Sequence, residues 1–167
     1  VNAITPGAPT IGTATAGNQQ ATVTFSAPSS TGGATITSYT VTANPGNFTG
    51  TGSGSPISVT GLTNGVSYTF TVTATSTAGT GAASAASNVV IPAAPQSITF
   101  INPGAQNFGS TPDLRILNGG ASATSGLDVS FTSSTTGVCT VTSEGVLGFV
   151  TAGSCTILAN QAGDTAF

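Results

Sequence analysis

Gly61-Leu-Thr-Asn-Gly65-Val-Ser-Tyr68-Thr-Phe70-Thr-Val72-Thr-Ala74 is the stretch whose reading decides the fold. From Tyr68 onward every second residue is apolar or aromatic, and every residue between is Thr. Successive side chains on a strand point to opposite faces, so this run has one apolar face and one hydroxyl face, the pattern of a half-buried antiparallel strand. Thr is β-branched and suits the pleated backbone on its solvent side. Thr63-Asn-Gly65, just before it, is a turn cluster. Working outward, the same period recurs. Ala21, Val23 and Phe25 alternate with Thr22, Thr24 and Ser26, and Tyr39, Val41 and Ala43 alternate with Thr40 and Thr42. Pro28-Ser-Ser-Thr-Gly-Gly33 and Asn44-Pro-Gly46 punctuate the runs as turns. No segment carries apolar residues at helical spacing. Short strands separated by turn signals predict an all-β sandwich or barrel.

Composition narrows the class. The chain has 167 residues, room for two sandwich modules of about 80–90 residues each. Only 3% of residues are charged, against about 25% in an average globular protein. Disordered chains combine low hydrophobicity with high net charge, whereas here 38% of residues are hydrophobic and the net charge is −3. A packed core is therefore expected. Arg115 is the only cation. Nucleic-acid binding is excluded, because it needs Lys or Arg to displace phosphate counterions. No run of 18 apolar residues is present to span a membrane as a helix. Residues 1–7 carry neither the basic nor the apolar region of a signal peptide.

Residues 1–112 contain no Asp, Glu, Lys, Arg or His. Acid–base catalysis needs a group that exchanges a proton near the working pH, and a serine nucleophile needs a neighbouring base. Only Tyr39 and Tyr68 titrate there, and both read as core. Asp113, Arg115, Asp128, Glu144 and Asp164 fall in separate turn and strand-flank contexts, which predicts a solvated surface rather than a glycosidase carboxylate pair. They lack the clustered spacing of a calcium loop, and two Cys without His leave a zinc shell half empty. No catalytic residue, cofactor or metal is expected.

Two families enter through specific residues. Ala21-Thr-Val-Thr-Phe-Ser-Ala-Pro28, Ile36-Thr-Ser-Tyr-Thr-Val-Thr-Ala43 and the Gly61–Ala74 run resemble a bacterial fibronectin type III repeat spanning Pro9 to Pro92. The resemblance implies that the Tyr68 hydroxyl returns to upstream backbone at a tyrosine corner, and that Phe25 stands where the family carries a core Trp. Thr136-Gly-Val-Cys-Thr-Val141, Gly145-Val-Leu-Gly-Phe-Val-Thr-Ala-Gly153 and Ser154-Cys-Thr-Ile157 resemble a bacterial immunoglobulin-like repeat. Ahead of them, Ile98 and Phe100, Leu114 and Ile116, and Val129 and Phe131 read as strand starts.

Together these imply two tandem antiparallel β-sandwiches. The expected organisation is a fibronectin type III-like domain at 7–92, a linker at 93–95, and an Ig-like domain at 96–167 lacking its last strand. Asn2-Ala-Ile-Thr-Pro-Gly-Ala-Pro9 matches the pattern of Asn88-Val-Val-Ile-Pro-Ala-Ala-Pro95, so residues 1–6 read as the exit strand or linker of an upstream module. Two prolines in the 92–95 link make it stiff, which predicts an extended rod.

Cys139 lies two residues before Val141, and Cys155 two before Ile157, so each shares a face with an apolar residue. A Cys139–Cys155 disulfide is the expected state over two free thiols, and it implies an oxidising compartment. Asn47-Phe-Thr49 is a sequon in a Gly-rich loop and makes Asn47 a candidate glycosylation site.

The resemblance implies a structural or adhesive segment of a large extracellular bacterial surface protein, with neighbouring repeats of the same chain as partners and an adhesion target that the sequence does not name. Two alternatives stand beside it. The near-absence of charge, above all of the Lys that guards edge strands, also suits a self-assembling filament or layer with lateral self-association. An accessory module of a secreted polysaccharide-degrading enzyme needs exposed aromatic rings, and Trp is absent.

Overall fold

The computed structural model describes residues 2–167; Val1, the first residue of the expected upstream segment, lies outside them. The chain is all-β, with no α-helix among the described residues. It divides into two units. The first runs to Pro95 and includes Asp164–Phe167, and the second is Gln96–Gly163.

The first unit contains β1 (Thr10–Gly17), β2 (Gln20–Ser26), β3 (Ile36–Asn44), β4 (Thr49–Gly52), β5 (Ile57–Thr60), β6 (Thr69–Ser76) and β7 (Gly79–Thr80). They form a three-stranded sheet in the order β1-β2-β5 and a four-stranded sheet in the order β4-β3-β6-β7, antiparallel throughout. The alternation read from the sequence becomes the packing. Phe70, Val72 and Ala74 of β6 are fully buried, as are Val41 and Ala43 of β3 and Ala21 and Val23 of β2. The Thr residues between them remain on the outer face. Phe25 stacks at a tilt on Tyr39, with ring centroids 4.9 Å apart, so an aromatic pair fills that part of the interior.

The exit segment after β7 solves an accounting problem. Gly81, Ser84 and Ser87 donate their N–H groups to the carbonyls of Ala74, Val72 and Phe70, so three residues of this segment advance for every two of β6. Backbone alone leaves β6 donors without partners at that mismatch, and a buried unpaired N–H costs about 1–3 kcal/mol. The serine side chains fill the gap: Ser84 Oγ accepts from Val72 N at 3.0 Å, and Ser87 Oγ accepts from Phe70 N at 3.0 Å. One residue on, the Asn88 amide accepts from Ala14 N (2.9 Å) and donates to Ala14 O (3.0 Å) beside the irregularity in β1. The segment thus ties both sheets together.

The second unit is thinner. Its strands β8 (Ile98–Phe100), β9 (Ala121–Ala123), β10 (Ser130–Ser133), β11 (Cys139–Val141), β12 (Leu147–Phe149) and β13 (Ile157–Asn160) pair only two by two, as β8-β9, β10-β13 and β11-β12. Its buried core is Leu114, Val129, Phe131, Cys139 and Leu147. The strand expected at Leu114 and Ile116 does not form. The Asp113 side chain accepts from Arg115 N at 2.9 Å, and its carbonyl accepts from Leu117 N at 3.0 Å. These bonds wind the chain into a turn that continues as a 3-10 turn over Leu117–Gly119, leaving Leu114 buried and Ile116 78% exposed. Gly120 closes it in the left-handed region (φ 70°), where a Cβ would run into the Arg115 carbonyl.

Candidate functional sites

Tyr68 sits at the bottom of the first sandwich with its ring buried. Its hydroxyl accepts a hydrogen bond from Thr63 N at 3.1 Å, five residues upstream. The ring also meets Phe48 edge-on at 6.2 Å. The same corner is lashed to the β1–β2 turn: Asn64 Oδ1 accepts from Gln19 N at 2.8 Å, Asn64 Nδ2 donates to Asn18 Oδ1 at 2.8 Å, and Leu62 N donates to Gln19 O at 3.0 Å. Tyr68 therefore holds a turn rather than presenting a phenol to a ligand. Tyr68→Phe leaves the Thr63 N–H without its acceptor and should lower the stability of this unit by about 1–2 kcal/mol, read from urea unfolding. An unchanged midpoint would show the bond to be dispensable.

Asn47 lies exposed in the β3–β4 turn with φ 52°, next to Gly46 at φ 88°. Its neighbour Phe48 turns inward toward the core, so the sequon spans a surface turn with an inward anchor.

Cys139 and Cys155 are joined as a disulfide, with Cα atoms 5.6 Å apart. Cys139 is fully buried on β11. Cys155 departs from the expected strand context: it is half-buried and precedes β13 by two residues, in irregular chain. The bridge thereby joins the β11-β12 pair to the approach of the β10-β13 pair, two pieces that share no strand pairing. The hydroxyls of Ser133 and Thr135 lie 3.4 and 3.5 Å from Cys139 Sγ.

The structure gathers charges that lie apart in sequence. Arg115 forms a forked ion pair with Asp113, Nη2 to Oδ2 at 2.8 Å and Nε to Oδ1 at 3.1 Å. Arg115, Asp128 and Glu144 line one concavity of about 450 Å³ in the second unit. The Arg115 side-chain hydrogen bond, followed by the Arg115 backbone N–H, holds the Asp113 carboxyl below its ordinary pKa. The Ser143 hydroxyl does the same for Glu144, helped by its own backbone N–H and the Thr142 hydroxyl. Arg115 is raised, first by Asp113. The expectation of a scattered surface thus gives way to a convergence of four of the five charged residues. Their contexts are separate only along the chain; folding of the 113–146 stretch brings them together. Among the described residues no group of three or more His, Cys, Asp or Glu is placed to hold a metal ion.

A pH dependence follows, with its sign. Asp113 and Glu144 have depressed folded pKa values, so their contribution is complete above the unfolded carboxylate range near pH 4 and is lost as pH falls through the folded values. Glu144 is exposed and Asp113 half-buried beside an exposed Arg115, so solvent screens both and the effect is modest. Residues 7–92 carry no acidic, basic or His side chain. Asp164, in the 164–167 segment, is the one acidic side chain of the first unit, so calorimetry should show the transition of that unit nearly unchanged from about pH 3 to 8, while that of the second falls below about pH 4. A steep acid shift in the first transition would contradict this division.

The second unit also has an uncharged groove of about 800 Å³, with Phe100, Leu114, Leu147, Phe149 and Ile157 among its lining residues. None of the described residues forms a helix long and apolar enough to cross a membrane.

Two facing antiparallel sheets, a buried corner tyrosine and a proton-inert interior define a β-sandwich repeat module. The fibronectin type III domain model matches residues 6–90, just over half of the 167 residues, and the chain belongs to that family. It is a family of non-catalytic structural modules. The matched module is followed by a second β-sheet unit. Among solved structures the chain is similar to a crystal structure of titin domains, at 25% identity and TM-score 0.49, covering 53% of this chain and 32% of that one. It is similar to the twitchin kinase region from C. elegans, at 20% identity and TM-score 0.48, covering 53% and 17%. A module of titin from human cardiac muscle matches at 28% identity and TM-score 0.42, covering 54% and 92%. The chain spans less than a third of the length of the first of these structures and under a fifth of the second. No curated protein matches the chain.

Proposed function

We propose that this chain is a structural or adhesive spacer segment of an exported bacterial surface protein, with 7–92 as its fibronectin type III-like domain, 93–95 as linker and 96–167 as an Ig-like domain. The observation that carries this reading is the pairing of a non-catalytic family module with a disulfide-stapled second unit. Disulfides persist in oxidising compartments and are rare in the cytosol, which favours export. The bacterial assignment rests on the repeat motifs described above, from Ala21–Pro28 to Ser154–Ile157. Neighbouring repeats of the same chain are its first partners. Asn47 is its candidate glycosylation site.

The test is protease shaving and thiol labelling of intact cells that produce the parent protein. Peptides of this segment released from the cell surface, with Cys139 and Cys155 blocked to thiol reagents until reduction, are the expected result. Recovery only from the cytosol with both thiols free would overturn the proposal.

A further inference from the structure

The outer face of the four-stranded sheet carries an ordered array of hydroxyl side chains. Cross-strand register sets Thr49, Thr42 and Thr71 in one row and Thr51, Thr40 and Thr73 in the next. Ser38, Thr75 and Thr80 form a third. All nine are exposed or half-buried. The residues between them on β3 and β6 point into the core, and on β4 they are Gly50 and Gly52. No bulky or ionisable side chain interrupts the array, because residues 1–112 contain no charged residue at all.

We infer that this threonine face is a homotypic surface, on which a second copy of the chain lies side by side. Charge complementarity selects the occupant. Soluble surfaces usually carry about 25–35% Lys, Arg, Glu and Asp, and these charges keep copies apart. This face carries no charge, and the net charge of −3 lies outside residues 1–112. A charged partner would have to desolvate its ions against a face with no countercharge, which is unfavourable. An identical face brings no ion to desolvate, and its methyls and hydroxyls meet their own kind.

Area sets the strength. β3 and β6 have nine and eight residues but β4 and β7 only four and two, so at about 3.3 Å rise per residue and about 4.8 Å between strands the face offers roughly 300–400 Å² per partner. Stable complexes bury about 800 Å² per partner. The contact is therefore weak between free molecules and becomes effective only where many copies are tethered in parallel. This deepens the spacer role by naming a partner for it, and its test does not depend on where the protein resides.

The experiment couples the whole chain to beads through one terminus and scores clustering, with sedimentation of the free chain alongside. The free chain should be monomeric at about 10 μM while the coated beads cluster. Thr42→Lys with Thr73→Lys should reduce clustering by about ten-fold or more, since each copy then meets like charge. Thr15→Lys with Thr60→Lys, on the other sheet, should change it by less than about two-fold. Clustering should also change by less than about two-fold between low and high salt, because no ion pair takes part. If the paired lysines prevent folding, the single change Thr49→Lys on the edge strand replaces them. Beads that never cluster, clustering that survives lysine on this face, equal loss in the control, or strong salt dependence would each overturn the inference. None of these outcomes bears on surface exposure of the parent protein, so the spacer reading fails or stands separately.

Discussion

Replacing Cys139 and Cys155 by Ala is expected to unfold the second unit while the first stays folded. The bridge spans a sequence separation of 16 residues, and in the chain-entropy model a loop of that size is worth about 3 kcal/mol. Natural domains are stable by roughly 0.05–0.15 kcal/mol per residue, which gives this unit of Gln96–Gly163 about 3–10 kcal/mol in total. It has little to fall back on. Its core holds five buried residues, one of them Cys139 itself, and every sheet in it has two strands. The first unit has fifteen buried core residues and two sheets of three and four strands. Hydrogen exchange read by mass spectrometry separates the two. Protection should collapse across 96–163 in the double variant, or on reduction of the natural chain, and persist on β2, β3 and β6. Retained protection in 96–163 would show that the bridge is not what holds that unit.

Phe70→Ala should have an effect at least as large, confined to the first unit. Phe70 is fully buried at the start of β6, opposite Ala43 of β3. Truncating a buried Phe costs about 3–5 kcal/mol through lost transfer energy and the cavity left behind. A domain of this size loses about 4–8 °C of melting temperature per kcal/mol, so a fall of at least about 12 °C is expected. The adjacent Thr71→Ala, on the outer face, should cost no more than about 0.5 kcal/mol. The contrast between neighbours one position apart is the sharpest check on the strand register, because a slip of one residue would exchange the two results.

These two experiments fall on parts of the chain that differ in how well sequence reveals structure. The Tyr68–Ala74 alternation was readable because one face meets the core and the other meets water, so period and burial coincide. Tyr68 and Phe25 were readable as core aromatics from the alternation around each. The exit segment was not. Gly-Ala-Ala-Ser-Ala-Ala-Ser has a period of three, which fits neither a strand nor a helix, and its role appears only when Ser84 and Ser87 meet the N–H groups of β6. The Ala-Ala-Ser repeat was the available signal. In the second unit, Leu114 and Ile116 imitate strand alternation, but the short-range bonds of Asp113 win over that pattern. The convergence of Arg115, Asp128 and Glu144 depends on long-range folding that no local spacing encodes.

The disulfide has a consequence when the chain is pulled from its ends. An unfolded chain extends to about 3.3–3.6 Å per residue, so the 16-residue separation between Cys139 and Cys155 withholds about 50 Å of reach once the 5.6 Å already spanned is subtracted. A fully opened second unit of Gln96–Gly163 could otherwise lengthen to about 230 Å. The bridge therefore removes roughly a fifth of the extension available under tension, and the β11-β12 hairpin inside the closed segment bears none of the load. In a tether stretched by flow, redox state would set how far the segment yields before the strain passes to its neighbours.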